Sequence, residues 1–512
     1  MKRLLRGVLT RTFFAVVLVL LQIALTIGLF LWVGSLAPYV YLALIVLSIL
    51  FIVALLDRDN VNPAYKIMWI LLIVSLPPTG SLFYLFWAKP RHRGRKALRY
   101  AQCEARGRRA CPVDEEPLRR LREYSPAMGR CARYLADYAG APVYGDTSSR
   151  YFAWGEDFFP VFLEQLRNAK RFVFMEYFII NPGYMWDTTL AILKEKAAQG
   201  LDVRVMYDAV GCMFTLPEGY DQVLRSYGIK CVVFSPLEVS RRISDYRMFN
   251  HRDHRKIAVI DGNVGFTGGL NFADEYINRK KRFGVWKDTG LMLQGSGVYS
   301  LTCTFLSNWD YCTGAASHYE DYAPQLRCPA DGYVQPYADN PLDQENISEN
   351  AYFNILHQSQ NYTYIVTPYL VIDSEMISSL KLAAKSGVDV RIITPGIPDK
   401  WYVYWVTQSF YRTLLEAGVR IYEYTPGFIH AKMYVSDDRM AVVGSANMDY
   451  RSLYLHFENC CAFYGGKMVQ DVRRDIERCM TQSREVTIED VDHTPWPKRL
   501  FQLFLRLFAP LL

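Results

Sequence analysis

Two short stretches of this sequence carry the same triplet of ionisable residues. His254, Lys256 and Asp261 stand in an H-x-K-x4-D spacing within "HRDHRKIAVIDG", and His430, Lys432 and Asp437 repeat it in "HAKMYVSD". The chain has only eight histidines. Roughly 0.02 matches would arise by chance, so the repetition is a motif and not a coincidence. His251 lies outside the spacing and is read as a bystander. These residue types suit a phosphodiester. One neutral imidazole can attack phosphorus and form a phosphohistidine. A protonated one can give its proton to the leaving alkoxide, then take one from an incoming alcohol. The two ammonium groups would hold the phosphate oxygens. Their charge would do the work of a metal ion, so neither a metal nor another cofactor is expected.

Those side chains need elements that aim them. Both motifs read as β-hairpins, "HRKIAVIDG-NVGFTGGLN" and "HAKMYVSDD-RMAVVGSAN". Residues i and i+2 share a face of a strand. His254 and Lys256 therefore point the same way, as do His430 and Lys432. Asp261 and Asp437 belong to the motif, but their odd offset turns them to the other face. That suits tying down the turn better than touching substrate. Turns centred on Gly262-Asn263 and on Asp438-Arg439 would set Asn271 opposite His254 and Asn447 opposite His430. Each lysine would then face a small residue, Gly269 or Ser445, with room for a tetrahedral group. Each histidine also wants a carboxylate on its second nitrogen to fix its tautomer. Asp288 in "VWKDTG" and Glu458 in "LHFENC" each follow the asparagine of their half, although ion pairs also occupy such positions.

Around the hairpins the chain alternates strands and helices, an α/β pattern. "RFVFMEYFII", "TTLAILKEKAAQG" and "LDVRVMYD" recur in kind as "YTYIVTPYLV", "EMISSLKLAAKSG" and "VDVRIITPG". An internal repeat is the economical reading. Two hairpins brought together would place two His, two Lys and two Asn around one phosphate.

The ends of the chain differ from the middle. Phe13–Val33 and Leu36–Leu56 are uncharged apolar runs, each long enough for a bilayer core of about 30 Å. Ile67–Trp87 is apolar but broken by Pro77-Pro78. Lys2, Arg3, Arg6 and Arg11 form one basic cluster, and Lys89–Arg99 holds six Lys or Arg without an acid. Two spans put both clusters on the cytoplasmic side, with 67–87 as a re-entrant or interfacial hairpin. At the other end, "PWPKRLFQLFLRLFAPLL" has the spacing of an interfacial amphipathic helix; a terminal helix docked on the core is the alternative. The domains expected are a membrane region (1–98), a basic linker and entry to the catalytic region (99–150), two catalytic halves (151–335 and 336–493) and the C-terminal helix (494–512).

Overall charge is +7, from 58 basic and 51 acidic residues, too mild for a general nucleic-acid binder. Eleven cysteines without a C-x-x-C pair point to a reducing compartment and show no metal signature.

The paired motifs resemble the phospholipase D superfamily. "TPYLVID", "LLEAGVRIYEYTPGFIHAKMYVSDD", "VGSANMDYRSLYLHFEN", "NPAYKIMWILLIVSLPPTGSLFYLFW" and the terminal "APLL" are similar to bacterial cardiolipin synthases. The resemblance implies two pseudo-twofold halves of mixed sheets flanked by helices, with the site at their interface. It implies a membrane phosphatidyltransferase that makes cardiolipin and glycerol from two phosphatidylglycerol molecules, and it makes His254 the nucleophile and His430 the acid. It also sets acidic partners of the histidines where Asp288 and Glu458 stand. The run Gly268-Gly269-Leu270-Asn271 departs from a usual serine at its second position, where glycine adds room. A phospholipase D-type hydrolase uses the same motifs and stays open. An inactive membrane scaffold would not keep His, Lys, Asp and Asn in both halves. A dimer is compatible with the sequence.

Overall fold

The computed structural model describes residues 37–57, 62–76, 79–87, 94–236 and 250–511, with a few helical positions between 20 and 28. Two compact units emerge. One takes in 1–94, 236–250 and 507–511; the other takes in Arg95–Ser235 and His251–Arg506.

In the first unit, Ala37–Leu56 is an uncharged helix of 20 residues. At 1.5 Å per residue it spans about 30 Å, the thickness of a bilayer core. It is the one helix among the described residues long and apolar enough to cross a membrane. Pro63–Ser75 and Thr79–Trp87 are too short to do so alone. They pack on each other through Trp69 and Tyr84, whose ring centroids are 5.3 Å apart. Gly80 permits the close approach, since a Cβ there would meet the Leu72 carbonyl oxygen at 2.3 Å. The expected span Phe13–Val33 and the break at Pro77-Pro78 fall largely outside the described residues.

The second unit contains two sheets. In the first half the strands are β1 (Thr147–Phe152), β2 (Phe172–Tyr177), β3 (Asp202–Asp208), β4 (Lys230–Phe234), β5 (Lys256–Ile260), β6 (Val264–Gly268), β7 (Val285–Lys287) and β8 (Gly290–Gly295). The second half carries β9 (Tyr333–Asp339), β10 (Tyr362–Val366), β11 (Leu370–Val371), β12 (Asp389–Pro395), β13 (Arg420–Tyr424), β14 (Gly427–Ile429), β15 (Met433–Ser436), β16 (Met440–Gly444), β17 (Met448–Asp449), β18 (Glu458–Tyr464) and β19 (Ser483–Val486). The sheet orders are β4-β3-β2-β5-β6-β8-β1 and β13-β12-β10-β15-β16-β18-β9, with β19 added beside β13. Strand for strand, the repeat read from the sequence is present. Parallel pairing of β2 with β3 and antiparallel pairing of β2 with β5 make the sheet mixed, and β10 does the same with β12 and β15. Helices Tyr184–Ala198 and Ser374–Lys385 are the matching crossovers.

Both motif hairpins form, but one residue out of the expected register. Ala258 faces Phe266 and Ile260 faces Val264, so the turn centres on Gly262; Met433 faces Val443 and Ser436 faces Met440, centring the second on Asp438. The reason lies in the turns. Asp261 (φ +55°) and Gly262 (φ +73°) take left-handed conformations, as do Asp437 (φ +53°) and Asp438 (φ +57°). Aspartate tolerates that region because its side chain bonds backbone locally.

Residues 99–150, expected as a basic linker and entry to the catalytic region, are largely helical and part of the second unit. The helices are Arg95–Ala110, Glu115–Tyr124 and Pro126–Ala139, and β1 already belongs to the first sheet. The amphipathic faces explain this, since Tyr100, Cys103, Leu118, Leu121 and Leu135 are buried. Helix Trp496–Arg506 docks on Trp401–Leu415, with Phe501 against Trp401 and Trp405. Its outer side leaves Trp496, Leu500, Leu503 and Phe504 exposed. The docked face is the one the alternative reading described.

Candidate active site

The two histidines are held by the opposite halves. The His254 N–H donates to the Phe457 carbonyl at 2.9 Å, and the His430 N–H donates to the Lys287 carbonyl at 2.7 Å. Phe457 and Lys287 immediately precede the two candidate carboxylates. That backbone pairing delivers Glu458 to His254, with both carboxylate oxygens 3.0 Å from Nδ1. It likewise delivers Asp288 to His430, with Oδ2 2.6 Å from Nδ1. A carboxylate can only accept from the imidazole, so Nδ1 carries the hydrogen on both rings and Nε2 is left for chemistry.

Lys256 and Lys432 share their histidines' face, as alternation requires. Lys256 Nζ donates to the His254 carbonyl at 2.5 Å. Lys432 Nζ donates to the His430 carbonyl and stands 3.0 and 3.1 Å from the ring nitrogens. Arg255, between them, points away to the Glu458 and Asp339 carbonyls and to the Tyr100 hydroxyl.

Burial dominates the electrostatics. It pushes the His254 imidazole down to about 3, assisted by the Lys256 charge, while Glu458 opposes the shift. His430 falls to about 4 by burial and the nearby Lys432 ammonium, against Asp288. The collar is aromatic: Phe178 lies 5.0 Å from the His254 ring, and Tyr276 and Trp286 lie 5.6 and 5.5 Å from that of His430. Burial also lowers Lys256 to about 7 and Lys432 to about 8, with Lys432 itself depressing Lys256. Burial raises the two carboxyls, but the facing imidazoles and ammoniums outweigh it and hold both below their usual range. The charges of each half thus act on the other.

Asp261 and Asp437 do not belong with the groups that reach this site. Asp261 accepts from the backbone N–H groups of Lys170, Arg171 and Phe172 at 2.7–3.0 Å. Asp437 does the same for Gln360, Asn361 and Tyr362 at 2.7–2.9 Å. Each staples its hairpin turn to the start of the central strand, at the end of its motif strand away from the histidine.

The asparagines depart from the expected arrangement. The ladders of β5–β6 and β15–β16 stop short of the histidines, so neither His254–Asn271 nor His430–Asn447 is a ladder pair. Asn271 accepts from the Ile179 N–H at 3.1 Å and donates to the Tyr276 hydroxyl at 2.7 Å. Through Tyr276 it reaches the His430 side. Asn447 donates to Asp449 at 3.2 Å. Each amide nitrogen keeps a second hydrogen for a ligand.

Gly269 and Ser445 each adjoin a carboxylate of the site. A Cβ on Gly269 would meet Asp288 Oδ1 at 2.0 Å, so the glycine makes space for the carboxylate. Ser445 Oγ donates to Glu458 Oε2 at 2.5 Å. The pairs Gly269–Asp288 and Ser445–Glu458 are alternative ways to fill one position.

Two residues escaped the sequence reading. Asn459 accepts from the Lys256 N–H at 3.1 Å and donates to Thr267 at 2.6 Å, joining the halves. His456 is buried beside His254, with ring centroids 5.6 Å apart. "LHFEN" held both signals, but strand alternation alone cannot say which of them meets the other half. His254, His456 and Glu458 are the described residues that come nearest to a metal site, with ligand atoms within 4.8 Å of one another. They suit an ion poorly, because Glu458 is already committed to His254 and Ser445.

Residues 162–288 and 352–480 match the family "Cardiolipin synthase, PLD-like domain", and 43–89 match "Phospholipase_D-nuclease N-terminal". A cardiolipin synthase of Geobacillus sp. (strain WCH70) is 34% identical over 477 residues, 92% of this chain and 93% of that protein. "Cardiolipin synthase 2" of Bacillus anthracis is 34% identical over 464 residues, covering 89% and 88%. Among solved structures, a phosphatidylserine synthase of Haemophilus influenzae superposes with a TM-score of 0.54 at 15% identity, covering 74% of this chain and 99% of that one. That likeness concerns the fold.

Proposed function

The chain belongs to the cardiolipin synthases of the phospholipase D superfamily, and we propose that its two-histidine site moves a phosphatidyl group from one phosphatidylglycerol to a headgroup hydroxyl of another. Cardiolipin and glycerol are the products. The crossed pairs His254–Glu458 and His430–Asp288, closed around two buried lysines, are the observation that carries this reading. His254 Nε2, neutral because burial holds its pKa near 3, attacks phosphorus. The P–O bond to the glycerol headgroup breaks, and His430 Nε2 gives that oxygen its proton. His430 then takes the proton of the incoming hydroxyl as its oxygen displaces His254 from phosphorus. His430 is also held neutral without substrate; the phosphate anion restores its proton, since a negative charge nearby favours the imidazolium. Lys256 and Lys432 hold the nonbridging oxygens.

Exchange of one phosphodiester for another is close to thermoneutral, so the reaction needs no nucleotide. The protein is membrane-associated through its apolar N-terminal helix. We place two spans before residue 57, the catalytic unit on the cytoplasmic side, and the exposed apolar side of Trp496–Arg506 at the bilayer surface. Purified full-length protein with phosphatidylglycerol liposomes tests the reading. Cardiolipin with equimolar glycerol is expected, whereas phosphatidic acid as the main product would make the protein a phospholipase.

A further inference from the structure

His456 is a buried imidazole whose ring nitrogens make no hydrogen bond among the described residues. It is 8% exposed, close to the 7% of His254 and of His430. Neither of its ring nitrogens has a hydrogen-bond partner among the described residues, and Nδ1 lies 3.8 Å from Glu458 Oε1. A buried polar group without a partner is costly, and such groups in native proteins are exceptions that call for a reason. A purely structural histidine would be satisfied by backbone or a carboxylate. A second orphan lies nine residues earlier: Asn447 Oδ1 is also buried without a partner. Asp449 can only accept, so it turns the Asn447 amide nitrogen toward itself and leaves the oxygen out. Glu458 acts alike on His456. It favours the hydrogen on Nδ1, leaving the Nε2 lone pair free.

An unsatisfied imidazole acceptor beside a candidate nucleophile, with a second buried acceptor nearby in sequence at Asn447, fits a ligand that brings hydroxyl donors. We propose that His456 is a positioning residue for the incoming alcohol: its Nε2 accepts a hydrogen bond from a polyol headgroup, with Asn447 Oδ1 offered to a second hydroxyl. The bond holds a glycerol-type acceptor at the phosphohistidine in preference to water. Phosphate oxygens cannot satisfy these atoms, because they too are acceptors. The assignment rests on the synthase reading above and adds the group that steers the acceptor.

The test measures the ratio of cardiolipin to phosphatidic acid formed from phosphatidylglycerol liposomes by full-length protein. His456→Phe keeps ring bulk and loses the acceptor. Loss of one such bond should lower the ratio about three- to tenfold, raise the KM for added glycerol as competing acceptor, and leave total donor consumption within about twofold. His456→Gln, which restores an acceptor oxygen, should recover most of the ratio. If His456→Phe does not fold, His456→Asn takes its place, since its amide is too short to reach. An unchanged ratio in the folded variant overturns the inference while wild-type cardiolipin synthesis upholds the parent reading. Phosphatidic acid as the chief wild-type product overturns both.

Discussion

Asp288 and His430 lie 142 positions apart in sequence and 2.6 Å apart in space. The motif of one half is completed by the carboxylate of the other, and Glu458 returns the arrangement to His254. Neither half contains a competent imidazole alone.

Exchanging the carboxylates should therefore damage the histidine of the opposite half. Asp288→Asn and Glu458→Gln keep the shape but permit the wrong tautomer. Each is expected to lower kcat by about 10²- to 10⁴-fold, the range for misassigned catalytic imidazoles. Rapid-quench labelling with radioactive phosphatidylglycerol separates them. Glu458→Gln should act on the attack and departure of His254, whereas Asp288→Asn, which disturbs the acid–base histidine, should slow both formation of the covalent intermediate and its release to the incoming alcohol. Identical kinetics would argue against distinct roles for the two histidines.

His254→Ala should form no covalent intermediate at all. His430→Ala should lose turnover to the same degree. A trapped intermediate on His430 in the His254→Ala protein would reverse the assignment of nucleophile.

Asp261→Asn and Asp437→Asn should act on stability. Each carboxylate accepts three backbone N–H groups. Weakening a charge-assisted set of this kind costs about 2 kcal/mol or more. A lower melting temperature in detergent is expected, with kcat of the folded fraction within a few-fold of wild type. A variant that melts normally but is inactive would return these aspartates to the chemistry.

Gly269→Ser should be harmful despite the serine at the equivalent Ser445. The new Cβ would sit 2.0 Å from Asp288 Oδ1. Overpacking of this kind costs about 1–3 kcal/mol, and the displaced carboxylate would release His430. Pairing Gly269→Ser with a rebuilt carboxylate, Asp288→Glu, moves the site toward the Ser445–Glu458 arrangement and should recover activity relative to the single change.

Activity and stability should move oppositely on the alkaline side. Lys256 falls to about 7 and Lys432 to about 8 in the fold, through burial. Their charges are lost as pH rises through those values, so kcat/KM should decline from about pH 7 upward. The unfolded chain keeps its lysines protonated up to about 10.4. Between those limits it binds more protons than the folded state, and stability gained from these groups rises with pH. Lys256→Arg, which cannot deprotonate, should push the alkaline limb upward. A limb unmoved by that change would mean that another group sets it.

Much was legible from residue types and spacing. His254, Lys256, His430 and Lys432 announced phosphodiester chemistry, and the period-2 rule gave their common face. Strand alternation also turned Asp261 and Asp437 aside from it. Repeated strand–helix–strand runs gave two matching sheets. Uncharged length gave the helix Ala37–Leu56. The register of each hairpin was less accessible, because a one-residue turn extension depends on an aspartate adopting a left-handed conformation. The role of Gly269 was likewise hidden. Its missing side chain matters only because Asp288 occupies that volume.

The sequence determined the chemical parts and their faces, because residue type and local periodicity are properties of neighbouring positions. Tertiary structure alone decided the pairing. His254 meets Glu458, His430 meets Asp288 and His456 is left unpartnered beside them, since these contacts arise from parallel backbone pairing between segments of opposite halves. Burial, which depresses the histidine and lysine pKa values of the site, follows from that closure and has no local signature in the chain.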